Sequence, residues 1–190
     1  MIPAFSSSNV LPPFISSPAN NRDISPYESS LIEFIDRFAT SANRIKIIHG
    51  LLEYRVNMKT KGITNGFQWI DGSFVENVEI TRKRSPGDID IVTFAFRPLH
   101  LMNSTDWNNF QGKCPDIFKS SLTKVNYLCD AYYIDLNANP LLIVDYTRYW
   151  YGLFSHQKVT ALWKGMVQIP LSEDENYALN YLTSRGSYAP

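Results

Sequence analysis

The chain has only two cysteines, Cys114 and Cys129, too few for a disulfide framework or a zinc cluster. It also lacks net charge, because 18 Lys and Arg are matched by 18 Asp and Glu. No block of Lys or Arg stands out, which argues against an extended nucleic-acid surface of the counterion-releasing kind. No apolar run approaches the roughly 20 residues of a membrane-spanning helix. The first residues have no signal-like pattern, so the cytoplasm is the expected compartment. The three histidines, His49, His100 and His156, show no metal-ligand spacing, and His49 on a mostly apolar helix reads as a local structural contact. What remains is ordinary for one folded core: 190 residues, 44% apolar and 14% aromatic.

Residues 1–26 are rich in Pro, Ser and Asn and read as an extended arm, lying on the domain or loose from it. Residues 27–190 then form a single domain. Ser25-Pro26 predicts a first helix over about 27–38, and Ser41 a second, with Ile45, Ile48, Leu52 and Val56 at helical spacing and a stop near Gly62. Period-two patterning follows, with Phe67, Trp69 and Asp71 on one face of a strand that ends at Gly72-Ser73. A short helix is expected from Phe74 to about Ile80, a strand from Asp88 to Phe96, and a helix from Asp106 to Leu122 interrupted at Pro115. Further expectations are a strand from Val125 to Ile134, a helix from Pro140 to Leu153, and a strand from Thr160 to Ile169. Ser172 with Glu175 suggests a capping box for a last helix.

The chemistry concentrates in two segments. Asp88 and Asp90, in Gly87-Asp88-Ile89-Asp90-Ile91-Val92, are two apart on a strand and share a face, so together they suit a divalent cation. Gly72-Ser73 before a helix offers backbone N–H groups and a hydroxyl to a phosphate. The combination suits a metal-bound nucleoside triphosphate, since two metals about 3.5–4 Å apart stabilise both attacking and leaving oxygens. A third carboxylate is needed. Asp130, mid-strand among apolar neighbours, is the first choice, because a buried carboxylate without a role is costly; Asp135, on the opposite face, is the second. Asp145, three residues before Arg148, reads as a local ion pair. Asp71 reads as a turn cap or as an orienter of Ser73, and Glu76 and Glu79 as favourable charges in early helix turns. Arg82, Lys83 and Arg84 read as a solvated loop, and Lys164 as a strand-edge lysine or a phosphate contact.

These residues resemble a known pattern. Trp69-Ile70-Asp71-Gly72-Ser73-Phe74 followed by Gly87-Asp88-Ile89-Asp90-Ile91-Val92 is similar to the Gly-Ser plus Asp-x-Asp signature of the DNA polymerase β-like nucleotidyltransferase superfamily. The longer string from Gly66 to Glu76 resembles a mainly bacterial group of predicted nucleotidyltransferases within it. That similarity extends over Leu11-Pro12-Pro13, Gly50-Leu51-Leu52-Glu53-Tyr54-Arg55 and Trp163-Lys164-Gly165. The resemblance implies an α+β, palm-like fold with a small mixed sheet backed by helices. It implies Mg2+ or Mn2+ at Asp88, Asp90 and Asp130, a triphosphate (ATP or another) at Gly72 and Ser73, and transfer of a nucleoside monophosphate to a hydroxyl or phosphate. A protein acceptor, such as a toxin-like partner, suits the compact size. A non-catalytic nucleotide- or partner-binding module, antitoxin-like, is the rival reading, and a metal-dependent phosphodiesterase a third.

Overall fold

The computed structural model describes residues 1–186, with no side-chain account of Gly186. Five strands form one mixed sheet: β1 (Tyr27–Glu28), β2 (Gly66–Asp71), β3 (Ile89–Ala95), β4 (Cys129–Asp135) and β5 (Val167–Pro170), in spatial order β1-β5-β2-β3-β4. The β1–β5 and β3–β4 pairs are parallel, and β2 is antiparallel to both β3 and β5. Among the described residues eight α-helices accompany it: α1 (Leu31–Phe38), α2 (Ala42–Thr60), α3 (Val78–Thr81), α4 (Ser104–Lys113), α5 (Pro115–Phe118), α6 (Ser120–Tyr127), α7 (Pro140–Phe154) and α8 (Glu175–Gly186). The fold is therefore α+β with a small mixed sheet.

Alternation along the strands divides the side chains between two layers. Ile70, Ile91 and Ala131 join the main core with Ile47, Ile48 and Leu51 of α2 and Ala178 and Leu182 of α8. Trp69, Val92, Phe94 and Ile134 face the other way and pack with Trp150 and Phe154 of α7. The α2 helix crosses the main core with two buried arginines. Arg55 reaches Glu175 at 2.9 Å, Gln68 Oε1 at 2.8 Å and the Pro170 carbonyl at 2.7 Å. Burying a guanidinium is tolerable only with such complete pairing. Arg44 donates to the carbonyls of Phe74 at 2.6 Å and Glu76 at 2.7 Å, tying α2 to the turn after β2.

Several elements differ from the sequence expectation. Tyr27 and Glu28 are not helical; they pair with Val167 and Gln168, and the first helix is capped by Ser30, whose side chain accepts from the Glu33 N–H. The segment after Gly72 is a 3₁₀ turn (Gly72–Val75) and a single turn of α3, divided at Glu76, whose backbone is extended and bridges Val10. Residues 120–127 are helical, and β4 starts only after Leu128 ends α6 in the left-handed conformation at φ 57°. The late strand is confined to 167–170. Asp174, not Ser172, caps α8, accepting from the Tyr177 N–H at 3.0 Å, while Glu175 turns inward to Arg55. Leu11 of the arm is buried and accepts from the Gly165 N–H at 2.8 Å, so this stretch lies on the domain.

Among the described residues, no helix is long and apolar enough to cross a membrane.

Candidate functional site

The strand register assembles the site. Asp71 at the end of β2 is paired with Asp90 of β3, and Asp90 with Asp130 of β4, so three aspartates form a row across the sheet. Asp88 lies just before β3, and Lys124 reaches both it and Asp130. The row occupies the face that carries Trp69, Val92 and Ile134 further along the same strands. Asp135 lies at the far end of β4, opposite Ala95, where Arg97 pairs with it at 2.7 Å. The geometry thus brings Asp130, and not Asp135, beside Asp88 and Asp90.

The Gly-Ser turn is built against the row. Gly72 has φ +81°, and a Cβ there would sit 1.8 Å from Oδ2 of Asp90. Glycine is required twice, for its left-handed backbone and for that close approach. Ser73, half-buried, follows at the start of the 3₁₀ turn, which Arg44 holds from behind through the carbonyls of Phe74 and Glu76. The two motif halves are therefore physically joined at Gly72 and Asp90.

Electrostatics in the row follow from crowding. Burial, then the neighbouring Asp88 and Asp130, push the Asp90 carboxyl up to about 6. Burial pushes Asp71 up to about 7 against the pull of Lys164. Lys164 is itself buried, 3.0 Å from Asp71 and 3.0 Å from Glu76, and donates to the Gly72 carbonyl at 3.2 Å. Burial works to lower its pKa, but the two carboxylates more than offset this and hold the ammonium above its ordinary range. Lys164 is thus not a strand-edge lysine; it locks the turn. Asp71 is not a side-chain cap, since its carboxylate is turned to Lys164. Glu76 is likewise drawn inward, to Lys164, to Gln157 at 2.8 Å and to Arg82 at 3.2 Å, while Glu79 pairs with Arg44.

One residue of the site was not foreseen. Lys124, on α6, places its ammonium 2.5 Å from Asp88 and 3.7 Å from Asp130. Its hydrogen bond to Asp88 raises its pKa, so it stays protonated. A lone lysine on an exposed helix face carries no signal of this in the sequence; only the return of α6 into β4 brings it to the row. Among the described residues, no three His, Cys, Asp or Glu groups converge as a ready metal cage. The ammonium instead supplies positive charge between Asp88 and Asp130. The donor set does suit a hard divalent ion: the carboxylates offer only oxygen, and Asp88 and Asp130 crowd Asp90 with negative charge that such an ion would relieve. Surface grooves lined by His49 and Tyr127, or by Phe96 and His100, contain none of these aspartates.

No curated protein and no solved structure matches the chain. Residues 3–170 match a protein family, a span that takes in the arm from residue 3, the five described strands and every aspartate of the row. The chain belongs to the family described as "Family of unknown function (DUF6932)".

Proposed function

We propose that this protein is a divalent-metal-dependent nucleotidyltransferase with a polymerase β palm-like fold. The observation that carries the reading is the joining of Gly72 to Asp90 inside a row that also holds Asp88 and Asp130. A glycine turn fixed beside clustered carboxylates is what a triphosphate needs if its phosphates and its metal are to be held together.

Asp88, Asp90 and Asp130 would hold Mg2+ or Mn2+, which when bound polarises the phosphoryl group. The Gly72-Ser73 turn binds the β- and γ-phosphates through backbone N–H groups and the Ser73 hydroxyl. Lys124 turns from Asp88 to a phosphate oxygen as the carboxylates are neutralised. The acceptor oxygen attacks the α-phosphorus, the bond to the bridging oxygen breaks, and pyrophosphate leaves. Asp130 takes the acceptor proton, its carboxylate being partly open to solvent. A protein acceptor suits the compact size of the described domain.

A second reading, a binding module without turnover on the same frame, is favoured by Lys124, which already partly neutralises the row. The two readings part at pyrophosphate release. Magnesium-dependent thermal stabilisation by each of the four ribonucleoside triphosphates, measured on wild type and on Asp88→Asn/Asp90→Asn, tests what they share. Stabilisation by at least one triphosphate, with metal and in wild type only, is expected. No stabilisation by any of them, or an equal shift in the variant, overturns the assignment.

A further inference from the structure

Helix α7, Pro140–Phe154, is built of apolar residues around most of its circumference, yet only Trp150 and Phe154 are fully buried. A helix apolar on all sides ordinarily lies inside a structure. Here Leu142, Tyr146, Tyr149 and Leu153 are 46–56% exposed. Their spacing of four, three and four residues is that of a helix-pairing seam, displaced from the face that packs on the sheet.

The order of these side chains is symmetric. Read from either end, the seam is Leu, Tyr, Tyr, Leu. A two-fold axis crossing α7 midway between Tyr146 and Tyr149 sets Leu142 against Leu153 of a second copy and Tyr146 against Tyr149. In this register each seam residue meets one of its own kind, an arrangement that an isologous contact accommodates. We propose that α7 pairs antiparallel with α7 of a second copy of this chain.

Charge supports the antiparallel direction. Asp145 and Arg148 flank the seam on one side, largely exposed and 3.9 Å apart within the chain. In the antiparallel pair each Asp145 lies only about 3 Å along the axis from Arg148 of the second copy, given the helix rise. A parallel pair would instead set Asp145 level with Asp145. The row of aspartates takes no part in this contact, so the proposal is independent of the nucleotide reading.

Sedimentation equilibrium on the full chain is expected to give the mass of a dimer. Leu142→Glu/Leu153→Glu is expected to give a monomer with an unchanged far-ultraviolet circular dichroism spectrum. Single variants Leu142→Cys and Leu153→Cys test the register. Mixed and mildly oxidised, they should crosslink to each other, and neither should crosslink alone; Cys114 and Cys129 are buried and contribute little background. A monomeric wild type would leave the seam to an unlike protein and overturn the proposal. So would a dimer that survives the glutamates, or self-crosslinking of Leu142→Cys, the sign of a parallel pair.

Discussion

Asp90 is the residue on which the site converges, with Gly72 against its carboxylate, Asp88 just before its strand and Asp71 and Asp130 to either side. Its pKa is about 6, raised by burial and then by Asp88 and Asp130, whereas an unfolded aspartate titrates near 3.9. The folded state therefore binds more protons between about pH 4 and 6, and stability falls as pH rises through that window. Above it the cost is fully present. Asp90→Asn removes the charge, so urea denaturation without metal should show the variant more stable at pH 8 by on the order of 1–2 kcal/mol, the gain vanishing near pH 4. A variant less stable than wild type at pH 8 would contradict this account. Gly72→Ala acts on the same contact from the other side. Its Cβ has no room at Asp90 and its φ is unfavourable, so a loss of about 2–4 kcal/mol is expected, with nucleotide-dependent stabilisation abolished. Lys124→Met leaves Asp88 and Asp130 without their ammonium. Manganese affinity without nucleotide should rise several-fold, as read by titration with electron paramagnetic resonance detection; unchanged affinity would show that Lys124 does not compete with the metal.

Elements position these residues through a few close approaches. Gly50 lets α2 touch the end of α6, where a Cβ would lie 2.0 Å from the Tyr127 carbonyl. Tyr127 is the last residue of α6, so this contact helps set where Lys124 stands. Gly50→Ala should cost about 1–3 kcal/mol by forced displacement of α6, measured by thermal or chemical denaturation, and a neutral result would mean that the helices are free to separate. What was legible in the sequence follows the same division. Ser41, the α2 spacing, the alternation in Phe67, Trp69 and Asp71, and the Asp88–Asp90 strand are local patterns, and each corresponds to an element. Two aspartates apart by two declare a shared face without any tertiary information. The Asp71–Asp90–Asp130 row was only partly legible, because register between strands far apart in the chain leaves no local trace. Lys124 and Lys164 were misread or missed for that reason. Tyr27–Glu28 failed differently: Ser25-Pro26 is a reasonable helix opening, but pairing with β5 satisfies this backbone and Ser30 supplies the cap. The expected helix after Gly72 breaks at Glu76, whose extended backbone bridges Val10 while its side chain meets the buried Lys164.

At the scale of the whole molecule, a small sheet gathers its carboxylates at one end of one face and uses the remainder of that face to seat α7. The buried ion pairs of Arg55 with Glu175 and of Lys164 with Asp71 and Glu76 hold α8 and the Gly-Ser turn to that sheet. The family match ends at the close of β5, so the family's shared part contains the row and leaves α8 outside. The row is proposed as a metal–triphosphate site. Its most direct test is a crystal structure grown with Mn2+ and a non-hydrolysable nucleoside triphosphate, with manganese located by its anomalous scattering. Expected are a manganese peak bounded by Asp88, Asp90 and Asp130, triphosphate density against Gly72 and Ser73, and the Lys124 ammonium moved off Asp88. Triphosphate and metal bound elsewhere, or a row still bridged by Lys124 at saturating ligand, would contradict that assignment.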